Sequence, residues 1–204
     1  MADFRLRVSY SKSGRLCMLS HLEICRALER NVRRAGLPYA VSQGFSPHMK
    51  IAFGAALPVG VGSTCEIFDV ALTDYVAPER ALEALKAASP ECLQPHEALY
   101  IQKSDPAASV ALPVSTYRAT FDGDASRCVI PETITVVRKE KEKVLTCADF
   151  IVGAPKAEGD ELVFTLCAKP TGSLRPDLLM DASLTEGLHL QTLTRIDQQP
   201  LDDM

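Results

Sequence analysis

Residues 4–36 dictate a strand followed by one sharply bounded helix, and few folds accommodate what comes after them. Phe4-Arg5-Leu6-Arg7-Val8-Ser9-Tyr10 alternates apolar and polar side chains, the period-two pattern of a half-buried strand. Ser13-Gly14 turns the chain, and Leu16 to Leu19 reads as a short extended piece. Ser20 and Glu23 have the S-x-x-E spacing of a capping box, so a helix is predicted from Leu22 to about Ala35. Cys25, Leu28, Val32 and Ala35 form its apolar stripe. Gly36 supplies the stop, with Pro38 just beyond.

The remaining segments narrow the choice. Pro38 to Val41 is short and extended, residues 42–50 form a loop, and Ile51-Ala52-Phe53 reads as a strand. Cys65 to Leu72 is a longer strand. Pro78 opens a second helix with Ala81, Leu82, Leu85 and Ala88 inward, and Cys92 to Gln102 returns as a strand. The order β-α-β-β-α-β predicts an α+β fold, a ferredoxin-like unit over residues 1–104. Ser104 to Ser109 reads as a linker. Residues 105–204 suggest a second, degenerate ferredoxin-like unit. Its strands are expected at Ser115–Phe121, Thr133–Arg138, Leu162–Ala168 and His189–Ile196, with one helix from Arg175 to Leu184. Lys139 to Lys143 breaks periodicity as a hairpin cap or solvated turn, and the tail from Asp197 is expected to fray.

Charge is unevenly spread. Residues 1–64 hold nine lysines and arginines against three acids, a net +6, which leaves −10 for the rest of a chain totalling −4. Such asymmetry hints at an anionic partner, with mutual attraction of the two halves as the alternative. The longest apolar runs fall well short of the roughly 18 residues a membrane helix needs. The charged, alternating N-terminus is unlike a signal peptide, so a cytoplasmic location is expected. Seven cysteines form no C-x-x-C pair and read as reduced, buried side chains acting as small hydrophobes. Cys17, His21 and Cys25 recur every fourth residue, but Cys17 precedes the cap and lies off the helix, so neither metal nor cofactor is expected.

Candidate binding residues crowd into residues 15–50. Arg26, Arg30 and Arg33 share one side of the first helix, with Arg34 beside Arg30. Their planar guanidiniums suit phosphate oxygens, unless Glu23, Glu29 and other acids merely balance a solvated face. Arg15 and Lys50 would strengthen the basic character if the fold brings them near. In the loop, Ser42, Gln43, Ser46 and His48 supply donors and acceptors, Gly44 permits a backbone turn toward a ligand, and Phe45 can stack on a ring or fold into the core. Ser20 and His21 open the helix, and His21 and His48 are the candidate acid–base groups. His21, Gln43, His48 and at least two of the arginines are expected to line one concavity. Gly60-Val61-Gly62 lacks the Lys-Ser/Thr of a phosphate loop. Glu66 and Asp69 fall on opposite faces of one strand and read as edge or surface positions.

Four ordered motifs carry a resemblance. They are Arg15-Leu16-Cys17-Met18-Leu19-Ser20-His21-Leu22-Glu23, Arg33-Arg34-Ala35-Gly36-Leu37-Pro38, Ser42-Gln43-Gly44-Phe45-Ser46-Pro47-His48 and Leu57-Pro58-Val59-Gly60-Val61. Together they resemble the signature of bacterial radical SAM-associated (radical SAM-linked) proteins, a family of unestablished function. Glu23, Ser46, Met49 and Gly62 depart from that pattern, where Asp, Asn, Pro and an acid are usual. The resemblance implies partnership with a radical SAM enzyme, because family members occur as separate proteins or fused behind such domains. The chain has no C-x-x-x-C-x-x-C and so cannot itself hold that enzyme's cluster. Two functions are expected from this: an accessory or substrate-binding protein that takes RNA or another phosphate-bearing ligand, or an enzyme acting on a nucleotide or phosphorylated substrate through His21 and His48. A protein-interaction scaffold is the third possibility.

Overall fold

The computed structural model describes residues 4–138, 141–170 and 172–201. The chain divides into two compact units, one ending at Leu112 and the other beginning at Pro113.

The first unit runs β1 (Phe4–Lys12), α1 (His21–Arg34), β2 (Ile51–Phe53), β3 (Gly62–Leu72), α2 (Pro78–Ala88) and β4 (Pro95–Ile101). Its strands are antiparallel in the order β4-β1-β3-β2, the ferredoxin-like arrangement. Leu6, Val8 and Tyr10 of β1 and Phe68, Val70 and Leu72 of β3 point to one face. Against them pack Ile24, Leu28 and Val32 of α1 and Ala81 and Leu85 of α2. This aliphatic core follows from the period-two and period-3.6 patterns meeting on one side of the sheet.

Both ends of α1 are built as its residues demand. The Ser20 side chain accepts from the Glu23 amide, and the Glu23 carboxylate accepts from the Ser20 amide at 2.8 Å. Gly36, at φ +65°, ends the helix in a conformation that a Cβ disfavours. Replacing Ser20 with Ala is expected to cost about 1 kcal/mol in urea unfolding. Part of that loss should shrink in acid. Hydrogen bonds from Ser20 lower the Glu23 pKa, so its contribution is present above the unfolded carboxyl range and fades as pH falls through the depressed one.

Several expectations give way to physical causes. Leu16 to Leu19 is not an extended run: Gly14–Met18 forms a 3-10 helix and only Leu19 is extended. Gly14, at φ +54°, starts that tight turn. Residues 104–109 are not a free linker. Ala108–Ala111 forms a short helix, α3, whose Ala108 and Ala111 pack on Ile67 on the other face of β3. Arg5 donates to the carbonyls of Asp105 and Pro106, and Arg7 to that of Pro106, at 2.8–2.9 Å. Residues 105–112 therefore belong with the first unit.

That second covered face also buries Asp69. It sits directly opposite Arg7 across the β1–β3 ladder, pairs with Arg5 and Arg7 at 2.7 Å, and accepts the Ala108 amide at 3.1 Å. Glu66 is buried on the helix-facing side. Neither acid is an edge or surface position, because both faces of β3 are covered.

The second unit repeats the strand order with one exchange. Its strands are β5 (Val114–Phe121), β6 (Thr133–Arg138), β7 (Lys141–Thr146), β8 (Ile151–Glu158), β9 (Glu161–Cys167) and β10 (Leu190–Gln199), with α4 (Pro176–Ser183) before the last. The sheet β10-β5-β9-β8 has the same antiparallel order as the first. Where the first unit places α1, this one has the hairpin β6–β7, anchored by the buried pair Ile134 and Leu145. α4 takes the place of α2. The region assigned to a hairpin cap is itself strand from Lys141, while Lys139 and Glu140 lie outside the described residues. β8 escapes sequence reading because Gly153 and Pro155 sit where its register slips, between Val152 and Lys156. Asp197 to Gln199 does not fray: these residues pair with Thr116, Ser115 and Val114.

Candidate functional site

In the first unit, the motif residues fall into the start of α1, its end, and the loop that leads on to β2. At the start, the His21 ring stands edge-on to Phe53, centroids 6.2 Å apart, and its Nε2 lies 3.4 Å from the Cys25 Sγ. Burial, reinforced by Glu29, pushes the Cys25 thiol up to about 11, so it is a neutral thiol at physiological pH. Beneath this end lies Lys12, only 2% exposed, whose Nζ donates to the Leu19 carbonyl at 3.3 Å. Its signal was present in the sequence. The alternation Leu6, Val8, Tyr10 continues to position 12, which makes Lys12 inward-facing despite its charge.

The basic residues separate by partner. Arg33 lies 3.5 Å from Glu29 and also stands over the Tyr39 ring, 6.0 Å from its centroid. Arg34 donates to Asn31, which is itself buried and donates to Ser89 at 2.9 Å. Glu23 is taken up by the cap. Among the described residues, Arg15, Arg26 and Arg30 have no ion pair, and all three are exposed. Hydrogen bonds from Ser20 and, beyond them, the nearby Arg26 charge lower the Glu23 pKa, so this acid balances Arg26 without a direct ion pair. Lys50 is exposed, and its backbone bridges Ala40 and Ala71.

The loop is closed at its base and open at its tip. Val41 bridges Met49, Ser42 N–H donates to the His48 carbonyl at 2.8 Å, and His48 N–H donates to Ser42 Oγ at 3.0 Å. The stem joins the sheet through Ala40 N–H to the Ala71 carbonyl, and Tyr39 bridges Leu72. Gln43, Gly44, Phe45, Ser46, Pro47 and His48 are all exposed. Phe45 is fully so, its ring folded against nothing. Gly44 has φ +135° and open space where a Cβ would be.

The cation–π contact of Arg33 on Tyr39 joins the end of α1 to the loop's stem, so these two candidates come together. His21 sits farther along, at Phe53. Chemically this side offers guanidiniums, a free aromatic face, and the donors and acceptors of Gln43, Ser46 and His48. Among the described residues, no three His, Cys, Asp or Glu side chains cluster to hold a metal ion, and no helix is long and apolar enough to cross a membrane.

Residues 5–176 match the family DUF2344, described as an uncharacterized protein conserved in bacteria, and the chain belongs to that family. No curated protein matches it.

Proposed function

We propose that this protein is a cytoplasmic binding module that takes a phosphate-bearing ligand with a stackable ring, single-stranded RNA above all, and presents it to a radical SAM enzyme. The observation that carries the binding reading is Phe45, fully exposed at the tip of a loop held shut by two hydrogen bonds and a bridge. Single-stranded nucleic acid is recognised by stacking unpaired bases on such rings while cations track the backbone. Arg33 and Lys50 flank the loop's stem and supply the cations. The enzyme partner rests on the resemblance of the four motifs alone.

Gel-shift titration with an oligouridylate at two salt concentrations tests the ligand. Phe45→Ala should weaken binding roughly tenfold, since each stacked base contributes about 1–3 kcal/mol. Arg33→Ala with Lys50→Ala should flatten the salt slope by up to about two phosphate contacts. The fully exposed Phe45 touches no core, so circular dichroism should stay unchanged. Absence of binding at low salt would remove RNA as the ligand.

A further inference from the structure

The outer face of α1 has a feature that the RNA reading leaves unused. Viewed down the helix, Leu22, Arg26 and Arg30 fall on the side opposite the buried Ile24, Leu28 and Asn31. Leu22 is 67% exposed there, and the neighbouring Met18 is 66% exposed. Val59, from the fourth sequence motif, is 50% exposed, and its chain is tied to this turn because the next residue, Gly60, donates its amide to the carbonyl of Cys17, the neighbour of Met18, at 2.8 Å. Three aliphatic or thioether side chains thus form a small apolar foot at the start of α1. Arg26 and Arg30, without ion pairs among the described residues, rise from it one and two turns on.

We infer that this face docks an acidic amphipathic helix of another protein. An apolar side chain of that helix seats among Met18, Leu22 and Val59, and carboxylates on its following turns meet Arg26 and Arg30. Charge complementarity sets the sign of the occupant: the acids of α1 itself, Glu23 and Glu29, bond to the cap and to Arg33, and neither forms a direct ion pair with Arg26 or Arg30 among the described residues. The foot sets its class. Leucine, valine and methionine offer no flat ring for a base, whereas an adaptable methionine beside branched aliphatics suits a helical partner's apolar anchor. The surface lies at the opposite end of α1 from the Arg33–Tyr39 contact and stands independently of the RNA reading.

The probe is a fluorescent peptide of about 15 residues, with two leucines four apart followed by glutamates at four- and three-residue spacing, compared with a scramble of the same composition. Fluorescence anisotropy should show the patterned peptide binding at least about tenfold tighter than the scramble. Leu22→Ser, at an exposed position, should lower that affinity about tenfold and leave the salt dependence intact. Arg26→Ala with Arg30→Ala should weaken binding and flatten the salt dependence. Failure of the patterned peptide to bind would overturn the inference, as would equal binding of the scramble or indifference to Leu22→Ser. An oligouridylate that loses affinity on Arg26→Ala but not on Phe45→Ala would assign this face to nucleic acid instead.

Discussion

Asp69→Asn should destabilise the first unit by about 3 kcal/mol, read as a shift of the urea midpoint monitored by circular dichroism. The substitution keeps the shape and removes the charge on which two guanidiniums and the Ala108 amide converge. Breaking a buried ion pair by removing one partner typically costs about 3–5 kcal/mol, and the lower end applies because Arg5 and Arg7 remain 20% and 16% exposed. Exchange of the Ala108 amide should accelerate with it. The exposed pair Arg118–Glu161, at 3.3 Å, is the internal control: Arg118→Ala should cost well under about 1 kcal/mol. Equal, small effects from the two substitutions would mean that the 105–108 segment is held by its apolar contacts to Ile67 rather than by Asp69.

Gly44→Val should abolish ligand binding while leaving the unfolding transition nearly unchanged. At φ +135° a β-branched residue is strained whatever the surrounding space, and the space here is open, so the cost is borne by the backbone alone. A strain of about 1–3 kcal/mol is relieved most easily by rearranging the loop tip, which carries no core contact. The stem bonds between Ser42 and His48 can survive, so Phe45 and its neighbours lose their placement without loss of the fold. Oligouridylate binding measured beside thermal unfolding separates the two effects. Retained binding would show that the ligand does not need this loop geometry.

Local signals in the sequence reached far into the fold. The Ser20–Glu23 box, Gly36 and Pro78 mark helix limits within a residue or so, because caps and stops are decided by neighbours in sequence. Alternation located β1, and the sequence also marks β3, β5 and β9 as strands. What stayed hidden depends on distant chain. That Asp69 is interior follows only once α3 covers the second face of β3, and nothing in FDVAL announces that cover. Lys12 follows the inward register, but its charge argues for the surface until the Leu19 carbonyl is seen to receive it. The 3-10 turn beneath Leu16-Cys17-Met18 and the bulge in β8 obey neither period on which sequence reading relies. At the candidate site, the arginines on one side of α1 were legible from spacing. Which of them are already engaged was not, since Glu29 lies a turn from Arg26 as well as from Arg33. The fate of the Phe45 ring, core or solvent, likewise had to be seen.

The two units share one strand order and differ in what links their first and second strands: a helix in one, a hairpin in the other. That link is an exchangeable slot, since the same four-strand frame closes with either insert. The arginine-bearing helix is the insert of the first frame, and among the described residues the β6–β7 hairpin stands in its place in the second. A duplicated scaffold can therefore specialise by rewriting one segment while every sheet pairing is kept. Grafting α1 into the second frame, or the β6–β7 hairpin into the first, would transplant recognition without redesigning either sheet.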